Sequence, residues 1–192
     1  EKIIFSDFTW LTFLPDHRPW QNYKKSYVSI KKLGGGVINS LSHELDLISY
    51  FFGLPNKLLA FKNIQKLNLE SEESITSILN YKNNFTVNLN LSLSCEYEKR
   101  EFKILTKKKL VNCNLITNVV SIKNLINKKT VIKKFSIKRN DLFLLEIQDF
   151  IKCCMRNKNS KISIKEGLNS SIIAIALHDS IKNNKIIELN KY

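Results

Sequence analysis

Three consecutive glycines precede a histidine and two acids in the segment GGGVINSLSHELDLISYFFG, which runs from Gly34 to Gly53. The segment predicts a helix whose first turns contain His43. The positive end of a helix dipole disfavours a charged imidazole. A neutral imidazole can accept a proton, so His43 is a candidate general base. Asp46 lies three residues later on roughly the same helix face, where it could orient the ring. A histidine that only bonds backbone near the turn is the alternative.

This segment does not match the common metal and nucleotide motifs. A zinc protease motif needs His-Glu-x-x-His, and Leu47 occupies the second histidine position. A dinucleotide fingerprint needs Gly-x-Gly-x-x-Gly between a strand and a helix, but Asn39 stands where the third glycine belongs. No Gly-Lys-Ser/Thr sequence follows, as a P-loop would require. The residues favour a turn in which the glycines let the backbone pack closely before a helix.

A second candidate region lies upstream, in the segment LPDHRPWQNYKKSY. Its prolines favour a loop, which places basic side chains and a histidine among aromatic rings. Such a surface suits contact with a sugar or an anion. A loop that is simply anchored by its aromatic side chains is the alternative. The residues that would make these contacts are His17, Arg18, Tyr23 and Lys24.

Alternating residues predict one long strand over FTVNLNLSLSCEYE, residues 85–98. One face of this strand is apolar, and the other carries hydroxyl and amide groups. The preceding ESITSILNYKNNF predicts a strand that enters the long one through an Asn-Asn turn. REFKIL, KLVNCNLI, VVSIKNL and TVIKKFSI predict further short strands. Strands that follow one another without helices between them indicate an antiparallel sheet.

Three helices are predicted around this sheet. The first spans residues 38–52 and ends at Gly53. The second, NDLFLLEIQDFIKCCMR, gathers apolar residues on one face. The third opens with a capping box, in which Ser163 and Glu166 satisfy free backbone N–H groups. The expected fold is α+β, with an open, mainly antiparallel sheet and helices packed on one of its faces.

Size and composition fit a single domain over residues 1–192, with 43% hydrophobic and 25% charged residues. No apolar run is long enough to predict a transmembrane helix, so no membrane partner is expected. Four cysteines without a CxxC pair indicate a reducing, cytoplasmic compartment and fit no metal site. The net charge of +14 is spread along the chain as lysine pairs. We interpret it as solvated faces rather than a nucleic-acid surface.

Three segments in this order resemble the C-terminal domain of the Gfo/Idh/MocA oxidoreductases. They are FLPDHRPWQNYKKSY, GGGVINSLSHELDLISYFFGLP and the closing stretch from LFLLEIQDF to KIIEL. The predicted antiparallel sheet lies between the second and the third of these segments. The resemblance implies an NAD(P)-dependent oxidoreductase acting on a sugar or a sugar-derived polyol. The family's N-terminal Rossmann domain, with its Glu-Lys-Pro motif, has no counterpart here, since Ile3 follows Glu1 and Lys2. NAD or NADP is therefore expected in the full-length protein and not in this chain.

The resemblance also assigns roles to the candidate residues. His43 matches the family's histidine and would handle or orient the proton of the substrate hydroxyl. Ser40 occupies the position of the family's aspartate, which is a departure from the pattern. The remaining substrate contacts implied are Arg18, Tyr23, Lys24 and Asp46.

The apolar–polar alternation of the sheet, together with the family resemblance, predicts a homo-oligomer that pairs through the polar face. That row of residues, 86–94, carries no lysine in an otherwise basic chain. Two other functional classes stay open. One is a non-catalytic binding or assembly module that has lost its Rossmann partner. The less favoured one is a basic RNA-binding domain.

Overall fold

A computed structural model of the chain describes residues 1–156, 158, 160 and 162–189. These residues form one nine-stranded sheet in the order β8-β7-β6-β5-β1-β4-β3-β2-β9. All neighbouring strands run antiparallel except β1 and β4, which run parallel. The strands are β1 (Ile3–Phe13), β2 (Lys57–Lys62), β3 (Ser74–Asn80), β4 (Thr86–Ser92), β5 (Ser94–Thr106), β6 (Lys109–Asn114), β7 (Val119–Asn124), β8 (Thr130–Lys134) and β9 (Ile187–Glu188).

The long strand predicted over residues 85–98 is two strands, because the chain bends at Leu93. The Leu93 N–H donates to the carbonyl of Glu73, and its carbonyl accepts from the Leu14 N–H, both at 2.8 Å. These bonds hold a reversal, after which β5 pairs with β1 on the side opposite β4. The apolar alternation buries side chains only as far as Leu93. Tyr97, predicted on the same buried face, is 72% exposed.

The helices are split differently from the prediction. The helix expected over residues 38–52 is broken at Leu41, whose φ of −108° and ψ of 29° end the first piece. A new helix then begins at His43. The helices are α1 (Leu14–His17), α2 (Val37–Ser40), α3 (His43–Phe52), α4 (Arg139–Arg156) and α5 (Ile164–Asn183).

The core lies between one face of β1–β4 and the helices α2, α3 and α5. Phe8, Leu45, Leu89 and Leu177 are among its fully buried side chains. The predicted capping box begins α5: Ser163 Oγ accepts from the Glu166 N–H, and the Glu166 carboxylate accepts in return. Among the described residues, no helix is long and apolar enough to cross a membrane.

Helix α4 does not pack on the sheet as expected. It follows β8, the edge strand furthest from β2, against which α5 packs. The periodicity correctly predicted an apolar helix, but a periodic pattern does not specify what covers the apolar face. Most of the large apolar side chains of α4 are about half exposed or more: Leu142, Phe143, Leu144, Leu145, Ile147, Phe150, Ile151 and Met155.

The opposite face of the sheet is covered by none of the described helices. Asn88 and Asn90 lie on it as predicted, and Asn88 donates a hydrogen bond to the Asp7 carboxylate at 2.8 Å. Register places Phe61 in the same transverse row as Asn90, and Ile78 beside Asn88. Both apolar side chains are 48% exposed. This face therefore combines amide groups at its centre with exposed apolar residues at one side.

The glycine turn brings three backbone segments into close contact. A Cβ at Gly35 would overlap the carbonyl oxygens of Tyr27 and Val28. Gly36 has a φ of +119°, and a Cβ there would overlap the Glu72 carboxylate. The close backbone packing predicted for these glycines is confirmed.

Gly35→Ala is expected to lower the free energy of unfolding by about 1–3 kcal/mol, since the carbonyl groups of Tyr27, Val28 and Ile30 must move. Gly167→Ala is the matched control, because a Cβ there meets nothing within 4 Å in α5. Alanine at this helical position should raise stability by up to ~1 kcal/mol. Urea denaturation of both variants measures the difference. A Gly35→Ala variant as stable as the wild type would show that the turn tolerates a Cβ.

Candidate functional site

His43 is the first residue of α3 and is exposed. No hydrogen bond or ion pair involving its ring is found in the part of the chain that the structure describes. Its ring contact is with Trp10 on β1, whose centroid lies 6.1 Å away at an interplanar angle of 29°. The imidazole is therefore accessible at a helix N-terminus, and one aromatic ring supports it.

Trp10 belongs to a group of four side chains that joins α3 to the sheet. Arg100 on β5 lies directly opposite Trp10 in the register. Its guanidinium carbon is 3.8 Å from the centroid of the indole ring. Arg100 Nε donates to Glu44 Oε1 at 2.7 Å, and Glu44 follows His43 in α3. We call Trp10, His43, Glu44 and Arg100 the tryptophan cluster.

Glu44 is an acid in a core position. Only 2% of its side chain is exposed, whereas 27% of the Arg100 side chain is. Burial raises the pKa of Glu44 to about 7, although the Arg100 guanidinium acts in the opposite direction. The sequence carries a signal for this, since Glu44 lies three residues after Leu41 and four before Ile48. Both belong to the buried side of the helix, so an acid between them must have a buried partner.

A small cavity opens beside the same end of β1. Thr12 lies on the same face of β1 as Trp10, about 7 Å further along, and its Oγ1 is 2.8 Å from His17 Nε2. Burial lowers the pKa of His17, while Glu98 and Asp16 act in the opposite direction. The cavity has a volume of about 100 Å³ and is lined by Leu14, His17, Arg18, Gln21, Tyr23, Ser26, Tyr27 and Val28.

Two of the sequence candidates, Arg18 and Tyr23, line this cavity together. Lys24 does not line it and is exposed. The buried Ser26 Oγ has no hydrogen-bond partner in the described structure. A bound ligand could therefore meet a cation, a phenol and an unpaired hydroxyl here.

Ser40 and Asp46 flank His43 along the chain without bonding to it. The Ser40 hydroxyl oxygen is buried and lacks a hydrogen-bond partner within the described residues. The Asp46 side chain is exposed, and no described hydrogen bond joins it to His43. The sequence pointed to His43 but missed Trp10 and Arg100, because strand register alone brings those two residues together.

The glycine turn does not form a cradle for a nucleotide phosphate. Such a cradle needs free backbone N–H groups, and here protein oxygens accept from all of them. No group of three or more His, Cys, Asp or Glu that could hold a metal occurs among the described residues. The turn's bonds are Gly34 to Lys31, Gly35 to Ile30, Gly36 to Val28, Val37 to the Glu72 carbonyl and Ile38 to the Glu72 carboxylate.

Comparison with known proteins identifies a family. Residues 8–111, more than half of the chain, match the sequence profile of the GFO/IDH/MocA C-terminal domain. A comparison with curated protein sequences finds no match. The fold is shared with several solved structures at identities of 14% or less, and this likeness concerns the fold alone.

Three of these structures illustrate the range of TM-scores and of the share of each chain that is matched. An oxidoreductase from Agrobacterium radiobacter, in complex with NAD+, L-tartaric acid and magnesium, is 14% identical with a TM-score of 0.79, over 99% of this chain and 58% of that one. Levoglucosan dehydrogenase, in complex with NADH and levoglucosan, is 13% identical with a TM-score of 0.84, and the match covers 100% of this chain and 60% of that one. UDP-N-acetylglucosamine 3-dehydrogenase from Acidithiobacillus ferrooxidans is 14% identical with a TM-score of 0.74, and the match covers 95% of this chain and 54% of that one. This chain thus spans less than two thirds of each.

The raised pKa of Glu44 predicts a pH-dependent stability. Its ordinary value is 4.5, and the folded value is about 7. Between them the folded chain holds a proton that the unfolded chain has lost, so the free energy of unfolding should fall as the pH rises from about 4.5 to 7. Glu44→Gln should remove this fall, whereas Glu146→Gln on exposed α4 should keep it. Urea denaturation across this pH range measures the free energy of unfolding of each variant. If it falls with pH as steeply in Glu44→Gln as in the wild type, Glu44 is not the group responsible.

Proposed function

Because this chain belongs to the GFO/IDH/MocA family as its C-terminal domain, we propose that it forms the substrate side of an NAD(P)-dependent oxidoreductase. The substrate would be a sugar or a sugar-derived polyol. The observation that carries the proposal is the exposed His43 at the start of α3, supported by the ring of Trp10 on β1. Two residues beyond Trp10, Thr12 contacts His17, which lines the cavity. Two proteins of the same fold are named as dehydrogenases of levoglucosan and of UDP-N-acetylglucosamine.

His43 would take up, or return, the proton of the reacting hydroxyl group. Oxidation of a carbinol to a carbonyl removes this proton together with a hydride, and the hydride acceptor is what the nicotinamide supplies when it is bound. The N–H groups of the glycine turn are all bonded to protein oxygens, and we propose that another part of the full-length protein binds the cofactor. An exposed imidazole within reach of the hydroxyl group can act as the general acid or base for this proton.

The cavity would hold a polar or anionic part of the substrate away from the reacting carbon. Arg18 and Tyr23 provide a charged donor and a phenol at its wall. Ser40, with its unpaired hydroxyl, would bond a substrate oxygen near His43. Lys24 and Asp46 are both exposed and would make contacts from the solvent side.

We further propose that a second copy of the chain covers the open sheet face. Depletion of charge marks the cores of interfaces, and Asn88 and Asn90 occupy the centre of this face. The exposed Phe61 and Ile78 add apolar area beside them. The uncharged area ends at β1 and β5, where Asp7 and Lys103 lie opposite each other.

A second candidate function is a binding or assembly module without catalysis. Ser40 favours it, because a hydroxyl stands where the family resemblance leads us to expect an aspartate. Such a module would keep the fold and the cavity but would not depend on His43 for turnover. The effect of replacing His43 therefore discriminates between the two candidates.

In the full-length protein, His43→Ala is expected to lower kcat by roughly 10²–10⁴-fold, the usual contribution of general acid–base catalysis. His178→Ala is the control, since this histidine of α5 lies near Asn39 and outside the cluster. Reduction of NAD+ or NADP+ with levoglucosan and with UDP-N-acetylglucosamine as probes gives the rates. A folded His43→Ala variant with wild-type turnover would remove His43 from the chemistry, and an enzyme inactive on a broad sugar panel would favour the binding module.

Sedimentation of the chain at micromolar concentration is expected to show a dimer or a larger assembly. Asn88→Lys with Asn90→Lys should shift it towards monomer by placing charges at the centre of the open face. Asn83→Lys, in the exposed β3–β4 turn, is the control and should leave the assembly intact. A wild-type chain that stays monomeric at high concentration would exclude this use of the sheet.

A further inference from the structure

The orientation of the His43 ring depends on one neighbour. The imidazole is exposed, and within the described residues it has neither a hydrogen-bond donor nor an acceptor to fix its rotamer. Trp10 supplies its ring contact, at 6.1 Å between centroids. A group that must present one nitrogen to a substrate hydroxyl needs its ring plane fixed, and among the described residues the Trp10 indole is the ring that contacts it.

Trp10 is in turn held by a cation. Its half-buried indole makes no described hydrogen bond, but the Arg100 guanidinium lies 3.8 Å from the ring centroid. A partly desolvated cation on an indole face contributes about 1–2 kcal/mol. The planar guanidinium also imposes an orientation that a lysine ammonium would not.

Arg100 is directed by Glu44. The Nε–Oε1 distance is 2.7 Å, and a second contact from Nη2 to Oε2 measures 3.5 Å. Two acids of β5 pair with lysines, Glu96 with Lys66 and Glu101 with Lys99, and both described side-chain hydrogen bonds of Arg100 go to Glu44. Glu44 is thus the carboxylate that determines which way the guanidinium points.

Glu44 is costly for the fold, which argues for a role other than stability. It lies in the apolar stripe of α3, and its burial opposes ionisation. Removing one partner of a buried ion pair is destabilising when the remaining charge stays buried, but the Arg100 side chain is 27% exposed and can reach solvent. A methionine would fill the position with less penalty, and it would leave Arg100 free to turn towards water.

We propose that Glu44 and Arg100 are positioning residues for His43, acting through the ring of Trp10. The pair fixes the guanidinium, the guanidinium fixes the indole, and the indole fixes the imidazole. Three side-chain contacts thus link Glu44 to His43 through two central strands, and the two residues are also adjacent in the backbone of α3. The catalytic part of this inference rests on the proposed function of His43; the geometric part does not.

The geometric part is tested by NMR on the chain itself, in a Trp20→Phe background that leaves Trp10 as the sole tryptophan. Nuclear Overhauser contacts between the His43 and Trp10 rings should be present in this background. They should be lost or reduced severalfold in Glu44→Gln, Glu44→Met and Arg100→Lys. Glu101→Gln, which removes the exposed pair with Lys99, should retain them. Unchanged ring contacts in a folded Glu44→Gln variant would overturn the proposal.

Stability separates positioning from a structural role. Glu44→Met should unfold at the same or a higher urea concentration than wild type while it loses the ring contact. If Glu44→Met does not fold, Glu44→Gln provides the same comparison with a side chain of nearly the same shape. Loss of ring contact only in proportion to loss of stability would assign Glu44 to the fold and overturn the proposal.

Turnover of the full-length protein completes the test. Glu44→Met should lower kcat by on the order of 10-fold to 100-fold, the effect of a misplaced catalytic group, with little change in KM. Loss of the ring contact without loss of turnover would overturn the catalytic role of His43 and leave the geometric inference standing. Retention of the ring contact together with loss of turnover would overturn the geometric inference and leave the catalytic role of His43 standing.

Discussion

The pairing of β1 on both sides is the constraint on which the site depends. β4 runs parallel to β1 and β5 antiparallel to it, so both hydrogen-bonding edges of β1 are used along most of its length. This arrangement requires the chain to reverse at Leu93 and to cross from one side of β1 to the other. The Leu93 backbone is fixed by Leu14 and Glu73 at that point. The reversal sets the register that places Arg100 opposite Trp10.

Much of the fold could be predicted because apolar periodicity reports directly on burial. The hairpin through Asn84, which has a φ of 56°, and the short strands after residue 100 follow the predicted pattern. The reversal at Leu93 could not be predicted, since the apolar–polar alternation of the sequence continues past Leu93 to Tyr97 and such a pattern does not record strand direction. The placement of α4 was missed for a related reason: an apolar face shows that a cover is needed and does not show which one.

The candidate site likewise contains residues that sequence reasoning selected and residues that it missed. Sequence reasoning selected His43 because a reactive side chain stands next to a distinctive turn, and its catalytic role stays a prediction. Trp10 and Arg100 were not selected, because they are 90 positions apart in sequence and meet only through sheet register. Glu44 was accessible to sequence reasoning, since an acid between Leu41 and Ile48 interrupts the buried stripe of α3. Buried acids of this kind are informative because their cost requires a compensating partner.

The break between α2 and α3 gives His43 its chemical environment. In one continuous helix from residue 38, His43 would lie in the second turn, beyond the free N–H groups that carry the positive end of the dipole. The bend at Leu41 starts a new helix at His43 and moves that positive end to the imidazole. The glycine turn leads into this break, because Gly35 and Gly36 hold the start of α2 against Val28 and Glu72. Backbone packing thus places the imidazole at a helix N-terminus, and Trp10 of the tryptophan cluster lies beside its ring.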